Sequence, residues 1–391
     1  MTAGQLDGLI VADLSRALAG PHAAMMLGDL GARVIKVEIP PHGDDTRGWG
    51  PPFVVTQGHA EESTYFMSAN RNKESIIVDL KRPEGTAILT ELVRRADVLI
   101  ENFRTGVLDK LGFSHRRLAE LNPRLITLSI TGFGHDGPEG GRAGYDQIAQ
   151  GEAGLMSITG PDAQNPQKVG TPISDLLAGM YGAFGVLAAL HERTRTGCGQ
   201  VVRTSLLAAT VGVHGFQGTK WTIAGQVGAA QGNHHVAIAP YGLYRCADGA
   251  VQIAVGSERL WSRFCDGFGI DADTAGFATN ADRVDNRTKL VEFIESLFAQ
   301  WPADGLLDRL NTLGIPAGRV RSIDEVYQWA QTRSQGLLVE VAHQTLGTIT
   351  LPGPPLRFFN HDDVEQTKIS HKAPPVLGAD DQTVRAWLQN S

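Results

Sequence analysis

The sequence predicts an α/β protein with a largely parallel sheet covered by helices on both faces. Within the first 130 residues, apolar strand-like runs alternate with helix-like segments, a spacing typical of βαβ units. Near Gly225 the pattern changes to the alternation of a hairpin, with an Asp-Gly turn at Asp248. A chain of 391 residues also exceeds what one core ordinarily holds. Two domains are therefore expected.

The first domain is expected to begin with a buried strand and a helix that carries Pro21 in its first turn, where proline is tolerated. The cycle of strand and helix then repeats along the chain. In order, the predicted segments are strand 9–14, helix 21–30, strand 33–38, strand 75–80, helix 83–96, strand 97–100, a short helix ending near 122 and strand 125–130.

The second half begins with a loop-rich stretch over 132–171, followed by a long apolar helix that ends at Gly197 and a strand over 201–206. Past the hairpin, helices are predicted at 258–267, 287–300 and 306–313, which indicates a small α+β domain. Segments 338–351 and 376–389 are expected to return to the first domain. The predicted division is 1–224, 225–325 and 326–391.

Composition narrows the possible partners and compartment. The net charge of −7 argues against a general affinity for nucleic acid or an anionic membrane. Three widely spaced cysteines without a CxxC pair indicate neither a disulfide framework nor a cysteine zinc site. The amino terminus lacks a secretory pattern, and the apolar run 176–190 is shorter than the ~20 residues of a spanning helix. A cytoplasmic protein without a membrane partner is expected.

A glycine loop after the strand at 125–130 raises the question of a dinucleotide site. Gly132, Gly134 and Gly137 satisfy G-x-G-x-x-G, the pattern with which such proteins hold a pyrophosphate. However, Pro138 and a run of further glycines follow where a helix should start. The first βαβ crossing offers only Gly20. A dinucleotide site is therefore disfavoured at both places.

Histidines give weak support for metal chemistry. His234 and His235 are adjacent, so on a strand they point to opposite faces, and no HExxH pattern occurs. His135 in the glycine loop fits a structural role, a substrate contact or catalysis about equally. No metal site is expected.

Asp175 allows two interpretations at the start of the long apolar helix. Ser174 or Asp175 is able to cap the helix, a role worth about 1 kcal/mol. Alternatively, a carboxylate held at a helix start in a partly buried site serves as a nucleophile. Small residues behind it would allow close approach of backbone or ligand: Gly179, Gly182, Ala183 and Gly185. Local sequence alone favours the cap.

Motifs along nearly the whole chain resemble the family III CoA-transferases, a group that also contains α-methylacyl-CoA racemases. Their order and spacing are specific, although each is weak alone. They are LDGLIVADLSRALAGP, LGDLGARVIKVE, GDDTRGWGPPF, NRNKESIIVDLKRPEG, ADVLIENFRTGVLDKLGF, LNPRLITLSITGFGHDGP, GYDQIAQGEAGLMSITG, ALHERTRTGCGQVV, PYGLYRCADGAVQIAVG and GIPAGRV.

The resemblance implies a Rossmann-like large domain built from both chain ends, a smaller middle domain and an interlocked ring-shaped homodimer. It also places the nucleophile of the family on Asp175. The implied reaction exchanges CoA between carboxylic acids through an aspartyl anhydride and an aspartyl-CoA thioester. It needs no bound cofactor, because the coenzyme A thioester is itself a substrate. The glycine loop would lie beside the acyl-CoA pocket.

For coenzyme A, the resemblance points to eight positions. They are Arg16, Ala17, Asn72, Lys73, Asn102, Phe103, Lys110 and Tyr145. Ile39 and Pro40 stand where a basic residue commonly follows the KVE motif, so one phosphate or adenine contact is missing, and Arg47 is a candidate to replace it.

The subclass rests on Tyr145. Racemases of the family have a histidine before the aspartate of this motif, whereas this chain has Gly144-Tyr145-Asp146, and a tyrosine with pKa ~10 is a poor base at neutral pH. Transferase is therefore preferred to racemase, with a nicotinamide-dependent oxidoreductase or a catalytically silent CoA-binding protein more remote.

The acceptor is expected to be a dicarboxylic acid, by resemblance to that branch of the family. Candidates for its second carboxylate are Arg16, Arg47, Arg71 and His234. For each arginine taken singly, a surface or structural ion pair is the favoured use. Tyr145 and the loop at Gly232 and Asn233 would shape the acceptor pocket.

Overall fold

The chain forms two compact units in a computed structural model that describes residues 4–274, 276–367 and 370–390. The first unit comprises residues 1–155, 169–224 and 330–391, within those described ranges. The second comprises 156–168 and 225–329. The second unit thus contains a short segment, 156–168, which the sequence interpretation had left in the large domain.

A six-stranded parallel sheet is the centre of the first unit, with strand order β5-β2-β1-β6-β7-β8. The chain builds outward from β1 in one direction and then from β6 in the other, so the order reverses between these two strands. The strands are β1 (Ile10–Asp13), β2 (Arg33–Glu38), β5 (Lys73–Ile77), β6 (Val98–Glu101), β7 (Ile126–Thr131) and β8 (Val201–Ser205).

Two small antiparallel pairs also belong to this unit. They are β3 (Phe53–Val54) with β4 (Glu62–Ser63), and β12 (Leu338–His343) with β13 (Gly347–Pro352). The helices of the unit are α1 (Ala19–Asp29), α2 (Thr64–Met67), α3 (Pro83–Arg95), α4 (Val107–Lys110), α5 (His115–Leu121), α6 (Asp146–Glu152), α7 (Ile173–Thr196), α8 (Leu206–Val211), α9 (Gly215–Ala224), α15 (Ala330–Ser334) and α16 (Asp381–Gln389).

Apolar side chains bury both faces of the parallel sheet. Val11 of β1 packs in one cluster with residues of α1, α7 and α8, whereas Ala12, the next residue, packs in a second cluster with α3, α5 and α16. Successive strand residues point to opposite faces, and all six residues of β7 are buried, so the sheet needs two covering layers. The predicted α/β fold with a two-sided parallel sheet is confirmed.

The carboxyl-terminal helix α16 completes this unit. Its first residues tie it to β5, because Asp380 accepts a hydrogen bond from the Ser75 amide at 2.9 Å and Asp381 accepts one from the Ile77 amide at 3.2 Å. Val384 and Leu388 then pack into the cluster on that face of the sheet. The tail therefore packs with the sheet that the amino-terminal half of the chain builds.

Glycines let α7 approach its neighbours closely. A Cβ on Gly179 would lie 2.6 Å from the carbonyl oxygen of Ala19, and a Cβ on Gly182 would lie 2.8 Å from the Leu128 side chain. The small residues noted in the sequence thus serve the packing of α7 on α1 and the sheet. By length and composition α7 also matches a membrane-spanning helix, but 39% of its most apolar window is buried inside the protein.

The second unit joins a three-stranded antiparallel sheet to a group of helices. Its hairpin pairs Cys246 with Gly249 around the turn at Ala247 and Asp248, as the Asp-Gly signal predicted. Its elements are β9 (Tyr241–Cys246), β10 (Gly249–Ala254), β11 (Ala317–Arg319), α10 (Glu258–Phe268), α11 (Asn280–Asp285), α12 (Arg287–Phe298), α13 (Ala303–Thr312) and α14 (Ile323–Gln328).

Several short helices were missed by the sequence interpretation, among them α2, α6, α8, α9, α11, α14 and α15. Helix α6 lies in the stretch that was predicted as loop, and α8 and α9 follow β8 where no element was predicted. Each is ten residues or shorter, and α6 contains Gly151, a poor helix former. Short helices with few apolar positions give no clear periodicity, so the sequence does not reveal them. They are also marginally stable alone and form where tertiary contacts stabilise them.

Candidate active site

The amino terminus of α7 presents Asp175 without using it as a cap. The N-cap residue is Pro172, which has no side-chain oxygen to accept the free amides of the first turn. Instead, the Asp146 carboxylate accepts hydrogen bonds from the Ser174 amide at 2.8 Å and from the Asp175 amide at 3.3 Å. The cap expected from Ser174 or Asp175 is therefore supplied by a residue of α6.

Neighbouring side chains hold this arrangement in place. The Gln150 amide donates to Asp146 Oδ2 at 2.7 Å, and its own oxygen accepts from the Val169 amide at 2.8 Å. Gln150 is fully buried, so the geometry of Asp146 is fixed from behind. The Ser174 hydroxyl accepts from Thr210 at 2.8 Å and is likewise occupied. Asp175 is thus the carboxylate of this group that remains available for chemistry.

Burial and the nearby Asp146 carboxylate raise the pKa of Asp175 to about 7. Burial is the larger cause, because removing an ionised carboxylate from water is unfavourable. Strongly shifted carboxyl groups of this kind are concentrated at functional sites. At neutral pH, Asp175 divides between a protonated form and a form that is able to attack a carbonyl carbon.

Tyr65 lies close enough to this carboxyl group for their charges to interact. Burial raises the pKa of the Tyr65 hydroxyl, and the Asp175, Asp146 and Asp44 carboxylates raise it further. Its ring packs edge-to-face on Trp49, with the centroids 5.0 Å apart. Tyr65 therefore keeps its proton at physiological pH and is a hydrogen-bond donor near Asp175.

An open cavity of about 560 Å³ lies beside these aromatic residues. Tyr145, the residue before Asp146, is 69% exposed and lines it together with Trp49. The remaining lining residues are His42, Asp44, Asp45, Arg47 and Gly48. The sequence did not single out Tyr65 or Trp49, and assigned Asp146 no role, because neither a lone aromatic nor a lone aspartate carries a local signal.

The glycine loop supports this region by backbone packing. A Cβ on Gly132 would lie 2.7 Å from the Gly144 amide nitrogen, so the loop folds directly against the segment that leads into Tyr145. Gly134 has φ +118°, which disfavours any other residue. No helix follows this loop directly, since α6 begins only at Asp146. The rejection of a dinucleotide-type loop from Pro138 agrees with this geometry.

A second cavity, of about 290 Å³, lies at the carboxyl ends of β1, β2, β5 and β6. This is where the strand order reverses, and ligands of open α/β sheets bind in the crevice at such a point. The walls are largely apolar, with Leu14, Val37 and Val78 among them. The cavity also contains Arg16, Ile39, Phe103, Arg104, Val107, Leu111, Asp79, Leu80 and Lys81. We name it the switch-point cavity.

Two of its loops are joined by side-chain to backbone hydrogen bonds. Asn102 accepts from the Arg16 amide at 2.8 Å and donates to the Arg16 carbonyl at 2.7 Å. The Arg16 guanidinium lies over the Phe103 ring, 5.8 Å from its centroid. Ala17 has φ +62°, and its amide donates to Asp44 at 3.2 Å. These four residues, all expected at a coenzyme A site, are brought together.

Other expected residues lie elsewhere or are already occupied. Lys73 is fully buried, and its three donors go to Asp13, the Pro21 carbonyl and Asn70, so its side chain has none left for a ligand. Asn72 donates to Asp29 at 2.8 Å and accepts from the Lys372 amide. These contacts give a direct ligand role of Lys73 no support. Lys73 connects β5 to β1 and α1, whereas Asn72 connects α1 to the carboxyl-terminal segment.

Two of the arginines considered for a substrate carboxylate are also committed. Arg47 forms a two-point ion pair with Glu38, at 2.8 and 2.7 Å. Arg71 forms a buried pair with Asp29, at 2.8 and 2.5 Å. The structural interpretation of both arginines is therefore favoured. Lys110 lies exposed at the end of α4 and is not among the residues lining the switch-point cavity.

The histidines considered from the sequence do not lie together in one site. In the second unit, burial and the Arg287 charge lower the pKa of His234, whose ring packs edge-to-face on Tyr244. His135, in the first unit, contacts the Ser129 hydroxyl at 2.7 Å. Within the described ranges, no three histidine, cysteine, aspartate or glutamate residues form a cluster able to hold a metal ion.

With this geometry in place, comparisons with known proteins define the class. Residues 6–381 match the CoA-transferase family III, and the chain belongs to that family. It is a CoA-transferase by its relation to enzymes of that activity. The succinate–glutarate CoA-transferase of Agrobacterium fabrum is 41% identical over 98% of this chain and 96% of its own length.

A mammalian relative and a solved structure support the same family assignment. The succinyl-CoA:glutarate CoA-transferase of Mus musculus is 39% identical over 95% of this chain and 84% of its own length. The crystal structure of a CAIB/BAIF family protein from Brucella suis has a TM-score of 0.87 at 38% identity, with full coverage of both chains. The resemblance inferred from the motifs is thereby confirmed.

Proposed function

We propose that this protein transfers coenzyme A from a succinyl-CoA type donor to a dicarboxylic acid, with Asp175 as the nucleophile. The observation that carries the proposal is the exchange of roles at the start of α7. Asp146 caps the helix, and Asp175 is left partly buried, without a side-chain hydrogen bond in the described part of the chain and with a pKa of about 7.

The first half-reaction converts the donor thioester into a thioester between coenzyme A and Asp175. The Asp175 carboxylate attacks the carbonyl carbon of the donor thioester, and the tetrahedral intermediate expels the CoA thiolate to leave a mixed anhydride on Asp175. The thiolate then attacks the aspartyl carbonyl carbon. This step releases the donor acid as its carboxylate and leaves an aspartyl-CoA thioester.

The second half-reaction is the reverse sequence with a different acid. The acceptor carboxylate attacks the aspartyl thioester and expels the thiolate, which then attacks the acceptor carbonyl carbon and regenerates Asp175. One thioester and one carboxylate are consumed and formed, so the bonds balance without ATP. The developing oxyanions need hydrogen-bond donors, each worth about 3 kcal/mol. The Tyr65 hydroxyl is the donor we assign to this role.

Coenzyme A is assigned to the switch-point cavity. Its apolar walls suit an adenine ring, and Phe103 and Arg16 offer stacking and a positive charge. Lys81 and Arg104 add positive charge at the same cavity. They would replace the basic residue that is absent at Ile39. The glycine loop and Tyr145 then lie on the acyl side, next to the open cavity.

The dicarboxylate acceptor is supported by the relatives, whose names specify succinate and glutarate. In this chain, Arg47 lines the open cavity but its guanidinium is paired with Glu38. His42 lies on the same wall and is the remaining basic group there. We assign His42 to the distal carboxylate, with Trp49 and Tyr145 packing on the carbon chain.

A homodimer is part of the proposal. Helix α7 exposes an apolar stripe, Met180, Tyr181, Phe184 and Leu187, and Phe184 is 71% exposed. Residues at this spacing share one face of a helix, and an apolar patch of this kind on a soluble protein marks an interface. A second copy of the chain is the partner that we assign to this apolar stripe.

Light scattering should give twice the mass of one chain, and Phe184→Glu should shift the measured mass toward that of the monomer. A monomeric wild type refutes the assignment.

The transfer itself is tested with succinyl-CoA and glutarate. We expect glutaryl-CoA and succinate to form in equal amounts, measured by chromatography with mass detection, and we expect coenzyme A but not NAD(H) to raise the melting temperature. Exchange of the α-proton with deuterated solvent, without transfer to any acid in a panel of mono- and dicarboxylates, would instead identify a racemase and contradict the proposal.

A further inference from the structure

A third cavity, separate from the two assigned above, lies toward the carboxyl ends of β6, β7 and β8. Glu101, Ser129 and Arg203 are register neighbours on these strands and therefore project from the same face of the sheet. Arg104, His115 and His135 complete the polar wall of what we name the β6–β8 cavity, which has a volume of about 120 Å³. That is well above the roughly 10–15 Å³ needed for one water molecule.

Positive groups in this cavity lack partners. Neither Arg104 nor Arg203 forms an ion pair or a side-chain hydrogen bond with any residue that the structure describes. His115 Nδ1 is buried and also has no hydrogen-bond partner in the described part of the chain. Arg104 and Arg203 are exposed, so water solvates their guanidinium groups, whereas the buried Nδ1 of His115 without a partner carries a desolvation cost and is rare in folded proteins. A ligand that accepts hydrogen bonds would satisfy all three groups.

Glu101 forms no ion pair with either arginine in the described part of the chain, although the Arg203 charge opposes the rise that burial causes in the pKa of Glu101. Glu101 accepts from the Ser129 hydroxyl and, through Oε2, from the Phe103 amide at 2.8 Å. Burial raises the pKa of Glu101, which favours its uncharged form. Because Ser129 donates to Glu101, the His135 Nε2 that lies 2.7 Å away must be the donor to Ser129. Both oxygens of Glu101 are thus occupied by local donors.

The positive charge of Arg203 extends across the whole cavity. Besides burial, it lowers the pKa of both His115 and His135. Asp109 on α4 opposes this effect at His115, and Asp136 opposes it at His135. Asp109 also lines the cavity and is exposed. An incoming anion would therefore be attracted by Arg203 and Arg104 and repelled by Asp109.

We propose that the β6–β8 cavity binds a phosphate group between Arg104, Arg203 and His115. Arginine presents a planar fork of donors that matches the oxygens of a phosphate, and a tetrahedral dianion is able to accept from two guanidinium groups and an imidazole together. The volume is sufficient for such an ion. The inference goes beyond CoA transfer: binding of free phosphate does not depend on the proposed function, whereas binding of a coenzyme A phosphate rests on the proposed coenzyme A site.

Two sources would supply this chemistry. Free phosphate is able to enter the cavity directly. Alternatively, the 3′-phosphate of a coenzyme A in the neighbouring switch-point cavity reaches it, since Phe103 and Arg104 line both cavities. If the cavity binds the 3′-phosphate, removal of this group should weaken the binding of coenzyme A. If it binds free phosphate only, coenzyme A and 3′-dephospho-CoA should bind equally well.

Calorimetric titrations of the full-length protein test the inference. Inorganic phosphate is titrated into coenzyme-free protein, and coenzyme A and 3′-dephospho-CoA are compared separately. We expect Arg203→Gln to weaken phosphate binding, or to reduce the preference for coenzyme A over 3′-dephospho-CoA, by about tenfold or more. Arg203 lies on the edge strand β8, so glutamine is expected to leave the fold intact, which circular dichroism checks.

Asp109→Asn is the control of opposite sign. If the cavity recognises an anion, removal of this carboxylate tightens the same binding that Arg203→Gln weakens. Saturable phosphate binding that depends on Arg203 identifies free phosphate, and a changed preference between the two coenzymes identifies the 3′-phosphate. Absence of both effects, or equal weakening by both variants, would overturn the inference, whether or not CoA transfer occurs.

Discussion

Asp175→Asn is expected to reduce the rate of CoA transfer by about 10⁴-fold or more, because the amide is unable to form the anhydride. Coenzyme A should still bind with nearly unchanged affinity, since the switch-point cavity is formed by other residues. In the unmodified protein, incubation with succinyl-CoA should leave a covalent adduct on Asp175, detected by mass spectrometry after trapping with hydroxylamine.

The same variant should also be more stable than the original protein at high pH. Folding raises the pKa of Asp175 from 3.8 to about 7, so the folded state holds an extra proton between these values. The resulting stability is present below pH 4 and is lost as the pH rises toward 7. Asparagine avoids this loss, which is at most on the order of 4 kcal/mol for a shift from 3.8 to about 7. Urea denaturation at pH 5 and pH 8 measures it.

Asp308→Asn is the matched control, because Asp308 is exposed on α13 of the second unit. It should change neither transfer nor the pH dependence of unfolding. Continued transfer by Asp175→Asn, with no adduct on Asp175 in the unmodified protein, would contradict the assigned mechanism. Loss of coenzyme A affinity in a folded variant would indicate that Asp175 positions the substrate instead.

Asp146→Asn is expected to move the acidic limb of the pH–rate profile to lower pH. Transfer requires ionised Asp175, so the rate of the unmodified enzyme should fall as the pH drops below about 7. The Asp146 charge is the second cause of the raised pKa, and its removal makes ionisation easier. The limb should not reach the ordinary value of 3.8, because burial is the larger cause and remains.

Asparagine suits this test because its side-chain oxygen is still able to accept the Ser174 and Asp175 amides, and asparagine caps helices well. The hydrogen bond from Gln150 to Asp146 Oδ2 is the contact at risk. Gln150→Glu is not equivalent, since it would add a second charge. A profile that stays in place or moves to higher pH in Asp146→Asn would show that this carboxylate does not set the ionisation of Asp175.

Local sequence was sufficient for most of the parallel sheet. Strand β2 was predicted with its observed ends at Arg33 and Glu38, and the end of α7 at Gly197 follows from the left-handed φ of +74° that glycine adopts there. Short runs rich in apolar β-branched residues, such as β2, and a terminal glycine are local signals that do not depend on the tertiary surroundings. The family, too, was evident in the order of short motifs along the chain.

What the sequence by itself determined, then, is the α/β class, the order of the parallel strands and the longer helices, the rejection of a dinucleotide-type glycine loop and the family. The tertiary structure decided which carboxylate caps α7 and which is left for chemistry, because Asp146 lies 29 residues before Asp175 and reaches it only through the packing of α6 on α7. It also showed that Lys73 and Arg71 each form an ion pair with a buried aspartate. Pairing, burial and pKa arise from neighbours distant in the chain, and no local pattern specifies them.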